Sequence, residues 1–120
     1  MLINFESRWT RIAPTASIPP QEGRAVTVAG AELAIFNLGE RFVTISNQCP
    51  HQGGPLCDGI VSGAVVVCPL HGWRFDLNTG LAVRASLPAC VETYPTRVED
   101  GIILVDVAAA RRIEPNEAVA

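Results

Sequence analysis

The sequence has no long apolar run and no obvious export signal. No segment approaches the roughly 18 consecutive apolar residues that a membrane-spanning helix requires. The first residues, MLINFESRWTR, carry a glutamate and an arginine instead of the apolar centre of a signal peptide. We therefore expect no membrane segment and a cytoplasmic protein.

Charge is also scarce, and basic residues are outnumbered. Charged residues make up 18% of the chain, and 9 basic against 12 acidic residues leave a formal charge of −3. Proteins that bind nucleic acid carry a basic face, and the single Arg111-Arg112 pair is too short to form one. The chain also lacks an internal repeat, a phosphate-binding glycine fingerprint and a Ser/His/Asp arrangement. With 120 residues, 48% of them apolar, it predicts one globular domain over residues 1–120.

The sequence contains only two histidines, and each closely follows a cysteine. His51 stands two residues after Cys49, and His71 stands three residues after Cys68. Glycine and proline surround both pairs and suit tight loops with unusual backbone angles; these residues are Pro50, Gly53, Gly54, Pro55, Pro69 and Gly72. Each of the two loops therefore offers one thiolate and one imidazole.

Two thiolates and two imidazoles form the ligand set of a Rieske [2Fe–2S] centre, in which histidines replace two cysteines on one iron. Two such loops that face each other complete both irons, so we predict that Cys49 and Cys68 bind one iron and that His51 and His71 bind the other. A structural zinc site is the alternative, although zinc fingers usually pair cysteine with cysteine and histidine with histidine. A catalytic Cys/His pair would leave the second pair without a purpose.

The two boxes, CPHQGG at 49–54 and CPLHGWRF at 68–75, resemble those of Rieske proteins. From about Trp9 to Val107 the chain resembles the small subunit of NAD(P)H-dependent nitrite reductase, above all in CPHQGGPLCDGIVSG, CPLHGWRFDLNTG and VETYPTRVEDGIILV. Rieske ferredoxins of ring-hydroxylating oxygenases have the same build and are the next match. Respiratory Rieske subunits differ, because they carry a membrane anchor.

The resemblance implies one-electron transfer through one [2Fe–2S] cluster per chain. The first hypothesis is the redox subunit of a nitrite reductase, whose larger partner uses NAD(P)H, flavin and sirohaem. The second is a separate ferredoxin that passes electrons from a flavin reductase to an oxygenase. The third, from another class, is a zinc-stabilised binding module without redox activity. No substrate site, nucleic-acid partner or membrane partner is expected in any of them.

The resemblance also implies an all-β fold, in which an antiparallel sandwich or barrel carries an inserted cluster-binding subdomain at about residues 48–88. Alternating or continuous apolar residues between turn signals predict strands at 9–13, 24–29, 33–38, 41–47, 64–68, 73–77, 91–98 and 102–107. Pro95 places the 91–98 strand at a sheet edge or a bulge. Residues 83–89 correspond to the proline-containing loop that covers the cluster in Rieske proteins. Residues 108–120 predict either a short helix as far as Pro115 or a mobile tail.

Positions inside and after the boxes distinguish subgroups of Rieske proteins. Respiratory-type members bridge two extra cysteines at positions that match Gly54 and Leu70, so that bridge is absent here. High-potential members have a serine and a tyrosine, which donate hydrogen bonds to cluster sulfurs, where this chain has Trp73 and Phe75. We therefore expect a low reduction potential. We also expect the two aromatic rings to pack beside the cluster.

Two further expectations concern exposure and the remaining cysteines. Because His51 and His71 lie in glycine- and proline-rich loops, we predict that their imidazole edges reach solvent at the tip of the molecule. Cys57 and Cys90 are not assigned as ligands, and the sequence does not decide whether they form a disulfide, although cytoplasmic thiols normally remain reduced. For Cys57 we expect a small, partly buried side chain.

Overall fold

The computed structural model describes residues 8–50, 53–70 and 72–115. His51, Gln52 and His71 lie outside the described residues, so the predicted solvent exposure of the two histidines stays a prediction. The described chain is built from antiparallel strands and three single-turn 3-10 helices, which confirms the all-β prediction. No helix in this part of the chain is long and apolar enough to cross a membrane.

The described residues form eleven strands in chain order. They are β1 (Thr10–Pro14), β2 (Gly23–Val28), β3 (Ala31–Asn37), β4 (Phe42–Ser46), β5 (Ile60–Ser62), β6 (Val65–Val67), β7 (Arg74–Asp76), β8 (Ala82–Arg84), β9 (Thr93–Tyr94), β10 (Thr96–Glu99) and β11 (Ile102–Val105). The 3-10 helices are Thr15–Ser17, Leu56–Asp58 and Val107–Ala109.

The strands are arranged in three antiparallel sheets. Sheet I has the order β1-β11-β10, sheet II the order β2-β3-β4-β9, and sheet III the order β5-β6-β7-β8. All four strands of sheet III come from residues 60–84, inside the predicted insert. The first box follows β4 directly, and the second box joins β6 to β7, so both boxes start at the ends of paired strands.

Strand β3 is buried on both faces and separates two apolar cores. Leu33 and Ile35 face one core, whereas Ala34 and Phe36 face the other, because successive side chains of a strand point to opposite sides. The smaller core contains Ile18, Leu33, Ile35, Ile103 and Val105. The larger core contains Ala34, Phe36, Leu38, Ile45, Cys49, Leu56, Val66, Cys68, Trp73, Phe75, Leu77 and Val91. Both cysteines of the boxes therefore lie in the larger core.

Pro95 divides what the sequence presents as one strand. The predicted strand at 91–98 is two strands, β9 at the edge of sheet II and β10 at the edge of sheet I. Proline lacks the N–H that an interior strand position would need, so the chain changes sheets there. The edge position predicted for this segment is confirmed. A hydrogen bond of 2.8 Å between the hydroxyls of Thr96 and Thr44 links the two sheets beside the break.

Three local features differ from the pattern-based expectations. Strands β5 and β8 were not predicted, because three residues carry too little alternation to be recognised, and β8 takes up the start of the predicted 83–89 loop. The prediction of a helix from residue 108 to Pro115 is wrong. After Val107–Ala109 the chain instead pairs Arg111 with Thr93 through backbone hydrogen bonds of 2.7 and 2.8 Å.

Candidate metal centre

The first box is a tight loop closed by its own backbone. The N–H of Cys49 donates to the carbonyl of Gly54 at 2.9 Å, and the N–H of Gly53 donates back to the carbonyl of Cys49 at 2.8 Å. Gly53 has φ +71°, a left-handed conformation that glycine adopts without steric cost. The loop therefore folds over the cysteine and leaves the Cys49 side chain buried.

The second box repeats this arrangement. The N–H of Cys68 donates to the carbonyl of Trp73 at 2.7 Å, and the N–H of Gly72 donates to the carbonyl of Cys68 at 3.1 Å. Gly72 has φ +75° and stands four residues after its cysteine, as Gly53 does in the first box. Two loops of the same backbone design thus present two cysteines, although the histidine is one position later in the second box.

The two boxes meet at Gly54. A Cβ atom placed on Gly54 would lie 2.8 Å from the Sγ of Cys68 and 3.0 Å from the Cγ of Leu70. A residue of the first box therefore contacts the cysteine of the second box, and this contact is possible because glycine has no side chain. Cys49 and Cys68 are each only 2% exposed and belong to the same core. The chain thus brings together the two thiols that the sequence predicts as ligands.

Asn47 anchors the first box and was not singled out in the sequence. Its buried side-chain amide donates to the carboxylate of Glu32 at 3.0 Å, and its side-chain oxygen accepts the N–H of Cys57 at 2.8 Å. Its backbone carbonyl also accepts the N–H of Leu56 at 2.8 Å. These bonds tie both ends of the first box to strand β3. Only the tertiary structure reveals this, because an asparagine at the end of a strand usually suggests a turn.

A model of the Rieske [2Fe–2S] domain matches residues 8–95 of the chain. This match spans both boxes, and the geometry described above brings their cysteines together. The chain belongs to the Rieske [2Fe–2S] family. The resemblance seen in the sequence is therefore confirmed.

Known relatives of this Rieske protein come from two kinds of redox system. The ferredoxin component of the naphthalene 1,2-dioxygenase system of Pseudomonas aeruginosa is 32% identical over 84% of this chain and 97% of its own. A chain from the complex of reduced oxygenase and oxidized ferredoxin of carbazole 1,9a-dioxygenase is 26% identical over 82% and 92%, with a TM-score of 0.76. A Mycobacterium tuberculosis structure assigned as an NADH-dependent nitrite reductase small subunit is 28% identical over 88% and 96%, with a TM-score of 0.74.

A Rieske-type [2Fe–2S] cluster is the cofactor of this family, and the described residues fit it. Two buried thiols from facing loops suit iron coordination, and the bare Gly54 leaves space beside one of them. We propose that Cys49 and Cys68 ligate one iron. We propose His51 and His71, which lie outside the described residues, as the ligands of the other iron.

The other two cysteines do not resemble ligands. Cys57 and Cys90 form no disulfide in the described structure, which answers the question that the sequence left open. Burial, and then the neighbouring Asp58 carboxylate, raises the pKa of the Cys57 thiol, whose S–H donates to that carboxylate at 3.7 Å. Burial also raises the pKa of the Cys90 thiol. Both thiols are therefore harder to deprotonate than an ordinary cysteine, and neither has a histidine two or three residues after it.

Trp73 and Phe75 are buried in the same core as Cys49 and Cys68. Phe75 is 0% exposed and belongs to β7, opposite Val66 and Ala82. Neither side chain has a hydroxyl that could donate to a sulfur. A donor would favour the reduced cluster, because reduction adds negative charge.

We therefore expect this Rieske protein to have a potential below zero, within the Rieske span of about −150 to +300 mV. Phe75→Tyr should raise it, because the added hydroxyl can donate to a sulfur. A hydrogen bond to a charged group contributes about 1.5–3 kcal/mol, which corresponds to at most roughly 65–130 mV for one electron. Protein-film voltammetry of both proteins measures the difference, with Phe42→Tyr, in the other core, as the control. A wild-type value near +300 mV, or an unchanged potential in Phe75→Tyr, would refute this account.

Proposed function

We propose that this protein is a Rieske ferredoxin that carries single electrons from a flavin reductase to the terminal oxygenase of a ring-hydroxylating dioxygenase system in the cytoplasm. The observation that carries the proposal is its likeness to the naphthalene dioxygenase ferredoxin component, which extends over 97% of that protein. When bound, the cluster supplies a one-electron redox couple. The chain's own residues hold it in two glycine-closed loops and bury the two thiols in the larger core.

Exposed apolar side chains beside the second box support a docking role. Strand β6 leads into the second box and Ile60 lies opposite Val67, so Ile60 is at the box end of sheet III. Strand β8 runs back toward the box, since Arg84 lies near Arg74, and Leu87 follows three residues later. Leu70 belongs to the box itself.

We call Ile60, Leu70 and Leu87 the box-end surface. Their side chains are 74%, 51% and 65% exposed, and they are three of the five large apolar side chains exposed in the described chain. Large contiguous apolar patches mark contact surfaces, and we propose that these three side chains form one. A partner that docks there would approach the boxes directly.

The small subunit of an NAD(P)H-dependent nitrite reductase is the second candidate. The likeness to the Mycobacterium tuberculosis structure supports it, because it covers 88% of this chain at 28% identity. In that case the protein would remain bound to a larger subunit with flavin and sirohaem, instead of shuttling between two partners. The same box-end surface would then belong to a permanent interface.

Affinity purification of the tagged chain from its native cells tests the proposal. The ferredoxin function predicts weak, salt-sensitive capture of an oxygenase or a flavin reductase. It also predicts rapid reoxidation of the reduced protein by that oxygenase in stopped-flow absorbance measurements. Leu87→Ser should slow this transfer. Val98→Ser replaces an exposed apolar residue on sheet I, away from the box-end surface, and should leave the transfer rate unchanged. Stoichiometric co-purification with a sirohaem protein would reject the ferredoxin proposal in favour of the second candidate.

A further inference from the structure

A groove of about 450 Å³ lies between the start of strand β4, strand β9 and the segment of Arg111 that pairs with Thr93. Strand β4 begins in this groove at Phe42 and leads to Cys49 seven residues later. At about 3.3 Å per residue, Phe42 is roughly 23 Å from Cys49 along the strand. The other end of the groove is nearer to the first box, because Arg111 directly precedes Arg112, which lines a cleft with Gln48 and Pro50. We call it the arginine groove, after Arg41 and Arg111; its other polar lining residues include Thr44, Asn78, Thr93 and Tyr94.

The arginine groove carries two positive charges without acidic partners. No carboxylate lines it, and within residues 8–50, 53–70 and 72–115 neither Arg41 nor Arg111 forms an ion pair. Four other arginines of the chain are paired with carboxylates: Arg8, Arg24, Arg97 and Arg112. In a protein with net charge −3, two arginines left together without a counter-charge suit an anionic ligand.

Both arginines are positioned by neutral groups. The guanidinium of Arg41 donates to the side-chain oxygen of Asn78, and the N–H of Asn78 donates to the carboxylate of Asp76 at 2.7 Å. Arg111 is held by its backbone pairing with Thr93. A neutral acceptor orients Arg41 without neutralising it, so the planar guanidinium keeps donors for a carboxylate.

We propose that the arginine groove binds a carboxylate-bearing ligand. The volume is that of a small-molecule site, and the rings of Tyr94 and Pro95 in its lining offer apolar contact.

The test is an NMR titration of the ¹⁵N-labelled, cluster-loaded protein with glutarate at low salt. The cluster broadens nearby resonances, so the titration follows the groove amides that remain sharp, including Phe42, which is seven residues before Cys49. Amide signals of Asn78, Thr93 and Arg111 should shift in a saturable way. Arg111→Gln and Arg41→Gln should each weaken binding about tenfold, because each removes one charged hydrogen-bond donor to the carboxylate. Arg11→Gln removes an exposed arginine of β1 and should change the affinity less than about twofold.

Inorganic phosphate serves as the second arm of the titration. Binding of phosphate without binding of glutarate would overturn the carboxylate assignment. Equal weakening in Arg11→Gln, or the absence of groove shifts at saturating glutarate, would overturn the site itself. The electron paramagnetic resonance spectrum of each variant must match that of the wild type, so that a loss of binding is not caused by damage to the cluster site.

Discussion

Alanine in place of His71 or His51 is expected to abolish the Rieske electron paramagnetic resonance signal almost completely. Each histidine is proposed to supply one of two imidazoles to the same iron, and no other histidine exists in the chain to replace it. Cys49→Ser and Cys68→Ser should have the same effect through the other iron. Iron content should fall from two atoms per chain, and the free energy of unfolding should fall as well, because metal affinity is coupled to folding.

The chain provides matched controls for this experiment. Cys57→Ser and Cys90→Ser alter the same residue type, yet both cysteines lie outside the two boxes and outside the proposed ligand set. Both variants should retain the signal and the iron. A His71→Ala protein with an unchanged spectrum and potential would refute the ligand assignment, and stoichiometric zinc with no colour in the wild type would favour the zinc alternative.

Gly54→Ala is expected to cause the second large loss, without touching any ligand. The new Cβ would lie 2.8 Å from the Sγ of Cys68, closer than Cβ atoms are found in real structures. Overpacking of this kind costs about 1–3 kcal/mol, and here the strain falls on a proposed iron ligand. We therefore expect most of the purified protein to lack the cluster, as measured by iron per chain and by visible absorbance.

Two further variants separate the possible causes of that loss. Gly63→Ala adds a Cβ where nothing lies within 4 Å, so the variant should keep full iron loading. Its stability should fall modestly, because Gly63 has φ +60°, a backbone conformation that alanine adopts only with strain. The double variant Gly54→Ala/Leu70→Ala removes the contact with Leu70 but retains the one with Cys68. If the double variant regains the cluster, the clash with Leu70 was responsible. Full loading in Gly54→Ala itself would contradict the close approach of the two boxes.

Local residue patterns were enough to predict the chemistry and the class of fold. The pairing of each histidine with a cysteine indicated the cluster, because only a few metal centres use that ligand set. The alternation in residues such as 24–29 and 41–47 predicted β2 and β4, since a half-buried strand repeats every two residues. It was much less informative for β5 and β8, which are only three residues long and are stabilised by their neighbours in sheet III.

The relation of the two boxes depended on the tertiary structure. Gly54 and Leu70 are sixteen residues apart in the chain, and the sequence could match them only by resemblance to the bridge of respiratory Rieske proteins. The structure brings the backbone of Gly54 against the side chain of Leu70, so an apolar contact stands where that disulfide would be. The pairing of β6 with β7 positions the second box, and the bonds of Asn47 to Glu32 and Cys57 position the first.

The sequence by itself thus predicted the iron ligands and most of the strands, because ligand chemistry and strand periodicity are local properties. Only the tertiary structure decided that Pro95 sends β9 and β10 into different sheets and that Arg111 returns to Thr93. It also decided that Arg41 and Arg111, seventy residues apart, line one groove. These features arise from contacts between distant segments, whose formation depends on how the sheets pack and not on the residues next to them in the chain.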